Sequence, residues 1–589
     1  MKLIPDAHQK VPMMFRAQVN ERSQLQYLDP DKRPGKPKAG RPQDVELWVN
    51  EWIDKAELIS AEQAQDVQTP TYGAKSYQIG WRFVTNGGQD DGILRPVIGA
   101  SGIPFYPGSS MKGAFRQACQ QMEQDQQVPM GTCNNYCGNE DDLSPGLLRF
   151  LGAYPTNDWT KGLFDLVHPQ QGWQVKTLDT KAKPKGESAY AQVSLYQPTL
   201  RFAISSPKSL STEQWQQIWQ IWERALASGL GSKVSTGYGQ SGKTSNPVIY
   251  RVKLKGQGQA AKLIDSSGEF RHNIFRAALR GHALRIFGGL TDCQTAENLV
   301  EELFGGIQGQ EPRVGLLGFQ FQESKLEIQP FGKGKYTQPA YQVEGELICF
   351  LTYPLVSYAE KAAELEVMLK KLVAKLMQFA MLVGGFGKSW RRVDHRIFFD
   401  EYYEDDYKAL IGCHWQWSGE NTQRRNVQVN RLDKVGEFFE TVQQIARGWI
   451  QAQQKPLRET DWAEDWREAW HTSNVQLWGR VAENRDDSVA VRWFHQPYRS
   501  EIQGFQAEAS IYESPLTGRI GQISRIWHRM YPLVLFKKDP ENPQKPIVKP
   551  TPRYLELITL FPDNSEEDKN FLEFLETHPS GFEQLWGDK

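Results

Sequence analysis

The stretch Gly99-Ala100-Ser101-Gly102-Ile103-Pro104-Phe105-Tyr106-Pro107-Gly108-Ser109-Ser110-Met111-Lys112-Gly113-Ala114-Phe115-Arg116 brings anion-binding residue types together where a helix would begin. Ser109 and Ser110 are good N-cap types, and Lys112 and Arg116 fall one turn apart on the first helical face. A helix starting this way offers free amides and two cations to a phosphate. The same residues suit an ordinary capped helix packed on a sheet. Two glycine-rich turns carry further cations: 229–239 holds Gly231 and Lys233, and 384–392 holds Lys388, Arg391 and Arg392. Cys119, Cys133 and Cys137 are thiols of the type that bind structural zinc, but no histidine stands among them as a fourth ligand, and unliganded thiols fit equally. His272, His282, His395 and His414 have the chemistry of a general acid or base, with nothing in their spacing to favour one. Gly387-Lys388-Ser389 lacks the earlier glycine of a P-loop, and neither a dinucleotide fingerprint nor a Ser-His-Asp hydrolase motif is present.

The elements that must position these residues are read from periodicity. Residues 77–84 alternate like a half-buried strand and run into a loop by composition at 85–92. A helix is predicted from Ser109 to about Met122, strands over 162–167 and 194–204, and a second helix over 212–227 from apolar Trp215, Ile218, Trp219, Trp222 and Leu226. The order strand, helix, strand, strand, helix, strand predicts an α+β fold of ferredoxin-like type.

A second copy follows. Phe275-Arg276-Ala277-Ala278-Leu279-Arg280 mirrors Met111-Lys112-Gly113-Ala114-Phe115-Arg116. Phe150-Leu151-Gly152 and Leu303-Phe304-Gly305 are each followed ten residues on by a Gly-Leu pair, at Gly162 and Gly315. From these glycines to the lysines of the two turns is 71 and 73 residues, and an apolar helix over 359–382 precedes the second turn. Between Arg116 and Gly152 lie 36 residues against 25 between Arg280 and Gly305, so the first copy is expected to carry an insertion near 119–146. The expected organisation is an arm with a short helix (1–70), a first module (71–250), a second (251–400), and an extension (401–589) that completes or decorates the second. No third copy is visible after about residue 400. Strands are predicted at 475–481, 489–494 and 554–561, and a solvated acidic helix over 563–589.

Composition sets the outer limits. The 69 Lys and Arg balance 70 Asp and Glu, so any nucleic-acid contact must come from local patches rather than a global field. A length of 589 residues implies several domains, and six cysteines are too sparse for a disulfide framework. No apolar run is long enough for a membrane span and the first residues lack a signal-peptide core, so the expectation is a cytoplasmic protein without a membrane partner. Aromatic residues make up 12%, with 19 tryptophans, enough to ask whether some rings stack on bases.

Ile103-Pro104-Phe105-Tyr106-Pro107-Gly108-Ser109-Ser110-Met111-Lys112-Gly113-Ala114-Phe115-Arg116, paired with the downstream turn ending Gly237-Tyr238-Gly239, resembles the RAMP superfamily of CRISPR-associated proteins, closest to the backbone subunits of type III effector complexes. The likeness covers about 75–400 twice over, and two fused copies resemble a tandem subunit of a III-D-like system. The sequence inserts Phe105-Tyr106 and puts Met111 where the family has Leu, and Arg271-His272-Asn273 stands where Pro107-Gly108-Ser109 stood.

The resemblance implies a protein that binds guide CRISPR RNA and target RNA beside other CRISPR-associated effector subunits. Ser109, Ser110, Lys112, Arg116, Gly231, Lys233, Arg276, Arg280, Lys388, Arg391 and Arg392 are then the RNA contacts. It further implies an acidic residue on the loop before Pro96-Val97-Ile98, here Asp91 ahead of Asp90, working with Mg2+ or Mn2+ to cut target RNA. Zinc at Cys119, Cys133 and Cys137 is also implied. A purely structural RNA-binding subunit, and a metal-independent guide-processing RNase of the same superfamily, are the alternatives.

Overall fold

The computed structural model describes residues 49–588 except 59–64, 86–87, 91–92, 100–101, 168–174, 177–189, 243–245, 264–266, 309–310, 356–361, 405–407, 420–425, 459–465, 499–508, 519–522, 538–546, 578–580 and a few single positions. The fold is mixed α and β, with helices beside several small, mostly antiparallel sheets. It divides into two compact units, one drawn from 1–169, 188–247 and 263–267, the other from 170–187, 248–262 and 268–589. Among the described residues no helix is long and apolar enough to cross a membrane.

In the first unit the chain forms β1 (Tyr72–Gln78), β2 (Gly88–Asp90), β3 (Ile93–Arg95), α1 (Gly108–Gln124), α2 (Thr132–Cys137), β4 (Arg149–Pro155), β5 (Phe164–Val167), β6 (Tyr190–Val193), β7 (Thr199–Ser205) and α3 (Thr212–Ser228). The main sheet runs Val67–Gln68, β1, β7, β4, all antiparallel. Leu200, Phe202 and Ile204 alternate along β7 onto one buried face. Helix α3 covers that face, its Trp222 ring 4.7 Å from Phe202. Ser211 starts α3 through a reciprocal capping box with Gln214, which satisfies two otherwise orphaned amides. Its predicted apolar positions Trp215, Ile218, Trp219, Trp222 and Leu226 are all buried. Beyond α3 the chain returns beside β1 as a single bridge, Ser241 to Ile79.

The second unit holds β8 (Val248–Gln259), α4 (Ile274–Gly288), α5 (Cys293–Phe304), β9 (Leu317–Phe331), β10 (Gln338–Leu351), α6 (Ala362–Val383), β11 (Cys413–Trp417), α7 (Asp433–Ala452), β12 (Gln476–Ala482), α8 (Ala490–Trp493), β13 (Ile526–Lys537), β14 (Ile547–Leu560), α9 (Glu566–Thr577) and β15 (Glu583–Trp586). Its two larger sheets are ordered β9-β10-β8-β11 and β13-β14-β12-β15. In each, the strands in order of appearance lie second, third, first, fourth. The first unit repeats the arrangement of β1, β7 and β4, with the Ser241 bridge in the fourth place.

Several expectations from the sequence are corrected. Residues 489–494 form the one-turn helix α8 instead of a strand, because the buried Glu556 carboxylate accepts the amides of Val489 and Ala490 and so caps a helical turn. The acidic end is not one solvated helix. Helix α9 buries Phe571, Phe574 and Leu575, and β15 then pairs with β12. The composition-based loop at 85–92 contains the first strand of a hairpin, β2, which pairs antiparallel to β3 with Asp90 opposite Ile93.

The stretch near 119–146 has a counterpart in the second unit. Helix α2 ends at Gly138, and Leu147 and Leu148 donate their amides to the carbonyls of Asn135 and Tyr136. Helix α5 ends at Gly305, and Leu316 donates to Glu302. Both terminal glycines are left-handed in φ with extended ψ, near +92°/156° and +77°/157°. Arg116 lies 22 residues before Gly138, and Arg280 lies 25 before Gly305, so the two copies are nearly equal in length here. Gly152 is not the counterpart of Gly305: it lies in β4, whereas Leu303 and Phe304 close helix α5.

Candidate nucleic-acid interface

Helix α1 starts after Pro107, with no side chain capping it. Gly108 is required there, since a Cβ would lie 2.1 Å from the Phe150 carbonyl oxygen of β4. Ser109, Ser110 and Lys112 are exposed in the first turn, while Met111 and Phe115 point into the core. Arg116 is half-buried and donates from Nη2 to the carbonyls of Gly138 (2.8 Å) and Cys137 (3.4 Å), which ties α2 to α1.

The 229–239 turn packs its backbone on the chain that leads to the hairpin. Gly239 N donates to Arg82 O at 2.7 Å, and Ser232 N donates to Val84 O at 3.1 Å. Gly231 has φ +75°, and a Cβ on it would meet Val84 O at 2.3 Å, so only glycine fits. Lys233 follows in the left-handed region at φ +61° and is half-buried. Beneath the turn the Tyr238 hydroxyl donates to Asp165 Oδ2 at 2.8 Å, and Gln192 Nε2 donates to the same oxygen at 2.7 Å. Arg82 donates to Ser194 Oγ at 2.8 Å and to the carbonyls of Gly162 and Phe164, all in the protein interior. Asp90 ends β2 of the hairpin; Asp91, the preferred acid, lies outside the described residues.

In the second unit the equivalent cations are differently employed. Arg276 is buried and donates to the Phe304 carbonyl, with burial pushing its guanidinium down to about 10. Arg280 is half-buried; desolvation lowers its pKa, and Glu301 and Glu297 work against that. Lys388 is exposed on the second turn, where partial desolvation and then the Lys262 ammonium lower its pKa. Arg391 donates from Nη2 to both Glu468 oxygens at 2.8 Å. Arg392 donates to Thr517 O (2.9 Å), Ser524 Oγ (2.8 Å) and the Ile526 carbonyl. Arg392 thereby locks the turn to the chain around β13, and Arg391 ties it to Glu468. Arg396 is paired with Asp394 at 2.6 Å.

The cysteines expected to bind zinc are neighbours. Burial raises all three thiols, Cys137 to about 12, and Cys133 interacts with both of the others. Cys133 Sγ also donates to Arg116 O at 3.8 Å. Among the described residues no group of three or more His, Cys, Asp or Glu side chains is arranged to hold a metal ion. Glu123 stands beside them: its Oε1 accepts the Cys133 amide at 2.8 Å, and its carboxylate adds to burial in raising Cys119 and Cys133.

The four histidines occupy four environments. His272 Nε2 meets Glu323 Oε1 at 2.6 Å. His282 and His414 are buried, and desolvation lowers both well below the usual range. His395 faces His495 with Nε2 atoms 2.9 Å apart, and its Nδ1 lies 2.9 Å from Val393 O. With Nδ1 donating to Val393, the His395 Nε2 lone pair accepts from His495. Both rings stay neutral, His495 held at about 4 by desolvation and then by Arg392 and Lys408.

Sequence reasoning missed a buried charged centre of the second unit. Glu468 is fully buried and accepts from Arg285 Nε (2.9 Å), Arg391 and Arg467 (2.7 Å). Arg285 and Arg391 lie far from it in the chain, and the adjacent Arg467 alone makes no motif. No family model matches the chain, and no curated protein matches it.

Proposed function

We propose that this chain is a guide-RNA-binding backbone subunit of a type III, III-D-like CRISPR effector complex, built from tandem ferredoxin-like modules of the RAMP superfamily and acting in the cytoplasm. One observation carries the reading. The connectivity strand, helix, strand, strand, helix recurs with the same strand order, and after the second helix α3 or α6 each of the first two copies makes a glycine-rich turn bearing a lysine, Lys233 or Lys388. Turns of this kind hold single-stranded RNA by its phosphates, which the near-neutral chain as a whole would not attract. The exposed Ser109, Ser110 and Lys112 at the start of α1 extend the same anion-binding chemistry. Target-RNA cleavage is assigned to the hairpin carrying Asp90 and Asp91, with Mg2+ or Mn2+ as the expected cofactor. The Asp91 side chain would hold the ion or orient the attacking 2'-hydroxyl.

The test is to purify the protein with its partner subunits and sequence any RNA it carries. Short RNA of uniform length supports a guide complex, and nucleic-acid-free protein refutes it. Asp91→Ala and Asp90→Ala complexes are then given complementary RNA with magnesium. Loss of one cut with binding intact supports the assigned acid, and unchanged cleavage at every site leaves only the structural RNA-binding role.

A further inference from the structure

The smaller sheet of the first unit runs β2, β3, β6, β5, and its register aligns residues of separate roles. Asp165 of β5 stands opposite Gln192 of β6, Gln192 beside Leu94 of β3, and Leu94 opposite Gln89, next to Asp90 on β2. At one end of this row lies the acidic hairpin. At the other, Asp165 accepts the Tyr238 hydroxyl from the glycine-rich turn at 2.8 Å. Tyr238 is 1% exposed, its ring 4.7 Å from Trp81, and Asp165, Gln192, Ser194 and Arg82 are 0% exposed. A buried carboxylate with several donors is costly to disturb, so its partners move together. The Tyr238 side chain joins the row to the turn, and backbone bonds from Ser232 and Gly239 to Val84 and Arg82 join the turn to the chain that leads to the hairpin.

We propose that the Asp165–Tyr238 hydrogen bond couples the glycine-rich turn to the hairpin carrying Asp90, with Tyr238 as a positioning residue that transmits the state of one to the other. The coupling is a property of the fold, and only its purpose rests on the RNA-binding reading: a strand seated on the Lys233 turn would set the hairpin that cuts it. A tyrosine that merely fills the core would stabilise its own turn and leave a hairpin two strands away untouched.

Hydrogen exchange on the full-length chain without RNA tests this. Tyr238→Phe removes the hydroxyl and keeps the ring. Exchange is expected to rise ~10-fold or more in both 229–239 and the hairpin strands 88–90 and 93–95. Asp165→Asn, which keeps an oxygen to accept the hydroxyl, should move both segments far less. A rise confined to 229–239 overturns the coupling. Should Tyr238→Phe unfold by circular dichroism, Gln192→Met cuts the same row from the β6 side, and it must then raise exchange in 229–239, a segment it leaves chemically unchanged; no rise there overturns the proposal. A final arm adds a single-stranded RNA oligonucleotide to the wild type. Protection of both segments supports the coupling, and protection of the turn alone refutes it. Absence of any RNA binding refutes the functional reading and leaves the RNA-free result to decide the coupling.

Discussion

Removing the Glu468 carboxylate should be among the most destabilising single changes in the second unit. Burial alone would raise its pKa, yet Arg391, Arg285 and Arg467 together outweigh burial and hold it at about 2, against 4.5 for an ordinary glutamate. At ~1.4 kcal/mol per pH unit, that depression corresponds to about 3 kcal/mol of stability at neutral pH. Because the folded-state pKa is depressed, this stability is fully present above pH 4.5 and is lost as pH falls from there through about 2. Glu468→Gln preserves the shape but leaves three buried guanidiniums without a counter-charge, for which a loss of about 3–5 kcal/mol is expected. Trp390 and Trp527 report locally, since the Arg285 guanidinium lies 5.4 and 5.1 Å from their ring centroids. Urea unfolding followed by tryptophan fluorescence should therefore show the second unit's transition moving sharply to lower denaturant in Glu468→Gln. The gap between variant and wild type should narrow as pH drops from about 5 towards 2. A loss under ~1 kcal/mol, or a gap that does not vary with pH, would refute the reasoning.

Three further outcomes are expected. Lys233→Glu and Lys388→Glu should each weaken RNA retention and lower the slope of log K against log salt by ~0.7 per lost phosphate contact, read by filter binding across a salt series; unchanged retention makes the turns structural only. Native-state thiol titration should find Cys293 quick to react and Cys119, Cys133, Cys137, Cys349 and Cys413 slow, since Cys293 is exposed and the other five are buried; a second fast-reacting thiol in the folded chain would refute this. His495, neutral when folded with its pKa near 4 against 6.5 when free, contributes stability that is complete above pH 6.5 and lost as pH falls through about 4. His495→Gln should accordingly flatten the pH dependence of the melting temperature between pH 4 and 6.5, and an unaltered profile would remove the His395–His495 pair as its cause.

Long periodic helices were legible in the sequence, because α1 and α3 each bury one apolar face, as α6 does from Leu365 to Met377, and leave the 3.6-residue spacing in plain view. The β12–β15 sheet was legible only in the strands expected at 475–481 and 554–561, which are β12 and the later part of β14. Its first helix is the single turn α8, too short to carry a period, and it is nucleated by Glu556, whose side chain comes from a strand more than sixty residues away. The hairpin at Asp90 was hidden by composition: the glycine- and aspartate-rich run around Gly87-Gly88-Gln89 reads as a loop, whereas Gly88–Asp90 pairs with Ile93–Arg95. Residue-by-residue spacing misled at Gly152, where equal counts joined a strand to a helix end. The hydrogen bonds of Leu147 and Leu316 to their preceding helices give the sounder register.

The fate of the basic residues sharpens what the repeat means. Counted in the sequence, the second turn with Lys388, Arg391 and Arg392 is far more cationic than the first with Lys233. In the folded chain Arg391 is engaged by Glu468, and Arg392 by three acceptors around β13, contacts that the first turn has no residues to make. Desolvation pushes Arg392 down to about 9 and Arg391 to about 10, as expected of guanidiniums drawn inward to hold structure. Subtracting those inward-facing charges leaves one lysine at the same place in each turn, which is the feature in which the two copies agree. An anion-binding role for the turns therefore rests on the matched lysines, and the arginines beside the second record how that copy was fastened to the chain that follows it.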